Sequence, residues 1–207
     1  MFQDRVSAGR QLVDRMRDEG VSIDLVLGIP RGGLPTASVV ADAYDVPLDV
    51  VAAKKLGAPN NPELAIGAAA ADGTVWLNGD LITRLRVDDA YVERERDRAK
   101  EVAAEKERTY REGREAPAVE GKRVAIVDDG VATGATMKAA IRAVENGGAD
   151  AVVVAIPVGP TDTVSELAGE ADTVVVVDQP ASFGAIGAHY RDFGQVSDEE
   201  AMEYLRQ

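Results

Sequence analysis

The chain has 207 residues, 45% of them hydrophobic, with 20 glycines and 9 prolines, which suits one well-buried α/β domain. It has no cysteine and a single histidine, His189, so disulfides, thiolate metal sites and a structural zinc site are excluded. A formal charge of −13 disfavours nucleic acid and anionic membrane as partners.

Only six of the 23 basic residues are lysine, and such an acid-rich, lysine-poor composition matches either the halophilic pattern or an ordinary acidic protein with arginine-biased usage. No run approaches the ~18 apolar residues of a membrane span, and the opening MFQDRVSAGR lacks a signal-peptide core. A cytoplasmic location is the expectation.

Residues 2–19 place Phe2, Val6, Leu12, Val13 and Met16 at helical spacing, closed by Gly20. This reads as an amphipathic helix with a purely structural role. A core strand is expected over 23–28, followed by IPRGGLP and a helix opened by Pro35, a favoured first-turn position. A strand over 48–54 then ends at Lys54 and Lys55. Alternation and the Asp72-Gly73 pair predict a β-hairpin within 57–79. Trp76 there serves either hairpin packing or ligand contact.

From 88 to about 112 the pattern is helical and highly charged. Residues 84–114 hold ten basic and nine acidic side chains. Interleaved charges of this kind predict a solvated helix that supports itself, with Arg94, Arg96 and Arg98 available for a flap or subunit contact.

At 124–137 the sequence reads VAIVDDGVATGATM. Four apolar residues run into Asp128 and Asp129, a small turn follows, and helical spacing resumes at Met137, Ala140, Ile141 and Val144. A buried parallel strand, a turn and a covering helix are expected, which puts the turn where open α/β sheets bind ligands. Small residues let backbone amides wrap an anion, and Thr133 and Thr136 can add donors. No lysine follows the glycine, which excludes the Walker A pattern. Two carboxylates beside a phosphate suit the hydroxyls of a ribose. The ligand suggested is a ribose 5-phosphate unit.

This arrangement resembles the signature of the type I phosphoribosyltransferases, with a hydrophobic strand, two acids, a small loop and Thr-Gly-x-Thr. It departs at Ala135, where a second glycine is common. Ala135 therefore needs a backbone without positive φ. The resemblance is closest to the broad group of predicted phosphoribosyltransferases of unassigned acceptor. It implies a mainly parallel open sheet flanked by helices, a core of about 22–178, a flexible flap of about 57–115 and a C-terminal hood of about 179–207.

For the site, the resemblance implies a catalytic role for Asp128 and Asp129. Phosphoribosyl pyrophosphate (PRPP) would be bound by Gly130, Val131, Ala132, Thr133, Gly134, Ala135 and Thr136. Arg31, Gly32 and Gly33 would form the pyrophosphate loop, in which the Pro30–Arg31 peptide often takes the cis form. Lys55 is the preferred match for a lysine that meets the phosphates, with Lys54 the alternative. Of the terminal segment's aromatics, Phe183, Tyr190 and Phe193 are candidates for stacking a base, and Phe183 and Tyr190 would line the acceptor hood. Mg²⁺ would arrive on the substrate's oxygens, with no protein-only metal cage, and the chain would form a homo-oligomer, a dimer. No general base is assigned, and His189 stands only by elimination. A PRPP sensor without chemistry and a phosphoribosyl hydrolase remain rival readings.

Two further strands are expected at 151–157 and 173–178, separated by a helix opening near Thr161. A terminal helix capped by Ser197 or Asp198 closes the chain.

Overall fold

The computed structural model describes residues 1–206. In chain order these form α1 (Arg5–Asp18), β1 (Leu25–Gly28), α2 (Gly33–Tyr44), β2 (Leu48–Val50), β3 (Ala53–Ala58), β4 (Asn61–Ala70), β5 (Val75–Leu77) and α3 (Gly79–Leu85). The remainder comprises α4 (Asp89–Arg111), β6 (Arg123–Val127), α5 (Ala135–Asn146), β7 (Ala151–Val158), α6 (Thr161–Leu167), β8 (Thr173–Asp178), a 3-10 turn at Ile186–His189, and α7 (Asp198–Leu205).

Five strands make a parallel sheet in the order β2-β1-β6-β7-β8. Both of its faces are buried, which is why these strands read as nearly continuous apolar runs. Leu25, Leu27, Val124, Ile126, Val152 and Val154 face Met137, Ile141 and Leu167 of α5 and α6. Val26, Ala125, Val127 and Val153 face Leu12, Met16, Ala37 and Val40 of α1 and α2. The architecture is the mainly parallel sheet flanked by helices that the resemblance implies.

The expected strand over 48–54 is two strands. β2 stops at Val50, and β3 begins a separate antiparallel sheet of order β3-β4-β5. The break is fixed from outside the segment: the Val51 amide donates to the Gly28 carbonyl and the Ala52 amide to Glu107 Oε1. Lys54 and Lys55 therefore ride on the second sheet. Its β4–β5 turn is the expected Asp72-Gly73 pair, with Gly73 at φ +93° and the Thr74 amide donating to Asp72 Oδ1 at 2.8 Å. One face of this sheet meets α5 through Ala68, Ala135 and Ala139. Leu56, Ile66 and Ala69 pack with Leu81 of α3 and Ala99 of α4. The second sheet, α3 and α4 thus share a small core of their own.

Charge patterning alone understates α4. Ala99, Ala103 and Tyr110 are buried, and Arg111 donates to Asp49 Oδ2 at 2.8 Å, to Glu107 Oε2 at 2.7 Å and to the Val50 carbonyl at 2.9 Å. The helix is bolted to the end of β2 rather than merely solvated.

The first helix starts at Arg5, not Phe2. Asp4 caps it by accepting from the Ser7 amide at 2.7 Å. Phe2 lies outside the helix, its amide donating to the His189 carbonyl at 2.8 Å, so the first residues run beside the C-terminal segment. Ser197 caps α7 through a reciprocal bond pair with Glu200. Among the described residues, no helix is long and apolar enough to cross a membrane.

Candidate active site

Adjacent parallel strands β1 and β6, in register at Gly28 and Val127, deliver two glycine turns to one end of the sheet. The Ile29 amide extends the ladder by donating to the Val127 carbonyl at 2.9 Å. The first turn then lies directly on the two acids. A β-carbon on Gly33 would stand 2.8 Å from the Val127 carbonyl oxygen and 3.0 Å from Asp128 Cα, and one on Gly32 would collide with the Asp129 carboxylate. The Pro30–Arg31 peptide is cis. The second turn is held by the Val131 amide on the Val158 carbonyl at 2.9 Å and by the Thr163 hydroxyl on the Ala132 carbonyl at 2.7 Å.

Within that second turn Gly130, Val131 and Gly134 are buried, Ala132 and Thr133 are exposed, and Thr136 is half-buried. Gly134 takes the left-handed conformation at φ +73° as the residue before α5, and Ala135 opens the helix without positive φ. The left-handed residue is thus the glycine, and alanine is accommodated after it.

Asp128 and Asp129 line a cleft of about 500 Å³ together with Arg5, Pro30, Arg31, Lys106 and Phe193. Asp128 Oδ1 accepts from the Asp129 amide at 2.8 Å. Burial, then the neighbouring Asp129 charge, pushes the Asp128 carboxyl well above its ordinary range. Burial also raises Asp129, but the Arg5 guanidinium opposes this with Nε on Asp129 Oδ2 at 2.7 Å. The Tyr190 hydroxyl donates to the Asp129 carbonyl at 2.5 Å. Two adjacent acids thus sit in unlike environments, and Asp129 is the better supported anion.

Two groups of this site, Arg5 and Lys106, escape the sequence reading. Arg5 belongs to a helix expected to be structural only. Its side chain is 12% exposed, it donates to the Gly194 carbonyl at 2.8 Å, and it lies over the Phe193 ring at 3.8 Å from the centroid. One local signal existed, because a cation in the first turn of a helix opposes the helix dipole. Lys106 comes from the charged α4. Burial, then the nearby charges of Lys54 and Arg31, lowers its affinity for a proton. Of the three aromatics expected in the hood, Phe193 is the one that lines the cleft.

The remaining expected residues distribute as follows. Arg31 faces the cleft, its guanidinium 3.8 Å from Asp198 Oδ2. Lys55 does not line the cleft; it lies with Lys54, Tyr91 and Arg98 in a neighbouring pocket of about 510 Å³. Lys54 is the lysine whose charge acts on Lys106, because α4 and β3 bring those two together. Tyr190 is not a stacking surface for an acceptor. It is buried between Phe2 and Phe193, with its hydroxyl engaged on the second turn. Phe183 stacks on His189, centroids 5.1 Å apart, and neither ring lines the cleft. Trp76 packs in the hairpin, with Lys138 Nζ 4.4 Å from its ring centroid. Among the described residues, no group of three or more His, Cys, Asp or Glu could hold a metal ion.

Comparison with known proteins gives the family. Residues 3–190 match the family model described as a phosphoribosyl transferase domain. Two curated relatives from Mycobacterium tuberculosis strains, "Putative phosphoribosyl transferase Rv0571c" and "Putative phosphoribosyl transferase MT0597", are each 45% identical over 99% of this chain. The chain spans about half of their length, 46% of each. The crystal structure of TT1426 from Thermus thermophilus is 41% identical, with a TM-score of 0.84, and the match covers 99% of this chain and 97% of that one.

Proposed function

The chain belongs to the phosphoribosyl transferase domain family, and from that premise we propose that it moves ribose 5-phosphate from PRPP to a nitrogen nucleophile, a nucleobase or related acceptor, releasing pyrophosphate. One observation carries this reading. Two glycine turns from adjacent strands converge on a pair of carboxylates, and the cations Arg31 and Lys106 line the same cleft.

The 130–136 turn takes the 5-phosphate on its exposed amides and the Thr133 hydroxyl. Asp128 and Asp129 accept from the ribose hydroxyls. As the C1–O bond to pyrophosphate breaks, its electron pair leaves with the oxygen and positive charge grows on the ring. The acids, already held by the Asp129 amide, Arg5 and Tyr190, stabilise that charge without reorganising. Arg31 and Lys106 face the departing pyrophosphate, with Lys54 behind them. The acceptor's nitrogen lone pair then closes on C1.

Mg²⁺ fits this donor set. Two neighbouring carboxylates are too few for a protein-only cage but suit an ion bound by one or two carboxylates plus substrate phosphates. Asp128 and Asp129 would hold it, and the ion would supply charge neutralisation on the pyrophosphate oxygens.

The test is pyrophosphate release from Mg²⁺–PRPP with and without a panel of nitrogenous bases. Release that depends on an acceptor supports transfer. Release without one identifies a hydrolase, and tight binding with no release identifies a sensor. Binding itself is checked by thermal shift, where PRPP at 100 times its Kd stabilises the fold by about 2.7 kcal/mol.

A further inference from the structure

The 130–136 turn has a charge problem. It contains no cation, and Asp128 and Asp129 stand at its entrance. A phosphate placed there meets two carboxylates in a partly desolvated site, where unscreened repulsion is strong. Arg5 answers for Asp129 on the cleft side and is committed to it. Arg31 belongs to the other turn.

The cation placed next to the turn is Lys138, one helical turn into α5, whose amide donates to the Gly134 carbonyl at 2.8 Å. Its side chain is 6% exposed, a rare state for lysine. Its Cε lies 3.8 Å from where a β-carbon on Gly134 would stand, so its aliphatic end lies along the turn. The ammonium is bonded to Glu166 Oε2 at 2.5 Å and sits over Trp76. Glu166 is 59% exposed, whereas Lys138 is enclosed. The anion is therefore the loosely held member of the pair. Rotation about the terminal bonds of Lys138 moves the ammonium without moving α5.

We propose that Lys138 is the cation of the phosphate turn. Glu166 holds its charge while the turn is empty, and the 5-phosphate of the substrate takes that charge over. The proposal rests on the reading of the 130–136 turn as the phosphate site. It assigns the buried Lys138, the exposed Glu166 and the stacked Trp76 one joint role, the storage and release of a positive charge.

Calorimetric titration of ribose 5-phosphate and of Mg²⁺–PRPP into the wild type, Lys138→Met and Glu166→Gln decides the matter. Methionine keeps the unbranched stem as far as Cε beside the turn while removing the ammonium. A charge-assisted contact to phosphate predicts about tenfold weaker binding of both ligands in Lys138→Met, by the same factor, since both carry the 5-phosphate. Glu166→Gln removes the competing anion and tightens both by about threefold.

Unchanged affinities in Lys138→Met overturn the proposal. So does weaker or unaltered binding in Glu166→Gln, because a merely structural ion pair does not improve binding when broken. Should Lys138→Met fail to fold, Glu166→Gln alone carries the decision. A wild type that binds neither sugar phosphate overturns the assignment of the turn itself, a failure distinct from that of Lys138.

Discussion

The two glycine turns that meet at the acids look alike in sequence, but Gly32 and Gly33 in one and Gly134 in the other answer to different demands. In the 29–33 turn, Gly32 and Gly33 answer to space. Neither has positive φ, but a β-carbon on either would strike the acids or the end of β6. In the 130–134 turn, Gly134 answers to conformation, sitting at φ +73° just before α5. The first kind of glycine reports a neighbour about a hundred residues away. The second reports chiefly its own backbone, with the Thr163 methyl as a lesser neighbour. A substitution at Gly32 or Gly33 should therefore disturb the acids, and one at Gly134 should chiefly strain the loop.

The largest effect is expected at the acids that both turns serve. Asp128→Asn and Asp129→Asn keep size and hydrogen bonding while removing charge. Each is expected to lower turnover on the order of a hundredfold to a thousandfold, with a smaller loss of PRPP affinity. Single-turnover rates beside PRPP affinity check this. Equal losses in both would mean that the acids only hold the ribose.

Next come the glycines themselves. Gly32→Ala must displace the Asp129 carboxylate, an overpacking cost of about 1–3 kcal/mol, and should weaken PRPP binding along with it. Gly134→Ala meets side chains first, those of Thr163, Leu167 and Lys138, and carries mainly the left-handed penalty of about 1–2 kcal/mol. Denaturant melts and PRPP titrations of the two variants side by side separate them. If both lose stability and affinity in the same proportion, the distinction between space and conformation fails.

A smaller effect tests the unlike environments of the two acids. The folded Asp128 carboxyl binds its proton more tightly than its ordinary value of 3.8 implies, so ionising it costs stability. That cost is absent below about pH 4 and grows as pH rises toward the raised value. Asp128→Asn should therefore raise the melting temperature at pH 7 and by progressively less toward pH 4. A constant difference across that range would show that the substitution acts through packing.

The smallest expected effect concerns the whole surface rather than the cleft. If the charge of −13 is a salt adaptation, stability rises with potassium chloride as self-repulsion is screened. Most of the gain should be complete near ~1 M, where the Debye length is about 3 Å. Identical melting in dilute and molar salt would make the acidity incidental.

Sequence alone determined what depends on neighbours along the chain. The valine-rich strands, the Asp72-Gly73 turn, a cap at Ser197 or Asp198, the two glycine turns and the Asp128–Asp129 pair follow from local periodicity and turn chemistry, and the structure has each of them, with Ser197 as the cap. Tertiary structure decided everything that depends on which distant side chain reaches the cleft. Arg5 meets Asp129 across 124 positions, and Tyr190 reaches the same residue's carbonyl across 61. Lys106 enters from a helix whose charge pattern reads as solvated, and Lys54 reaches it because a side chain of that helix ends β2 early. The physical reason is one of scale. A turn or a strand is selected by the torsions and periodicity of a few consecutive residues, whereas a buried ion pair is selected by how whole elements pack. A single chain records the first directly, and it records the second only in small contradictions, such as an arginine at the wrong end of a helix dipole.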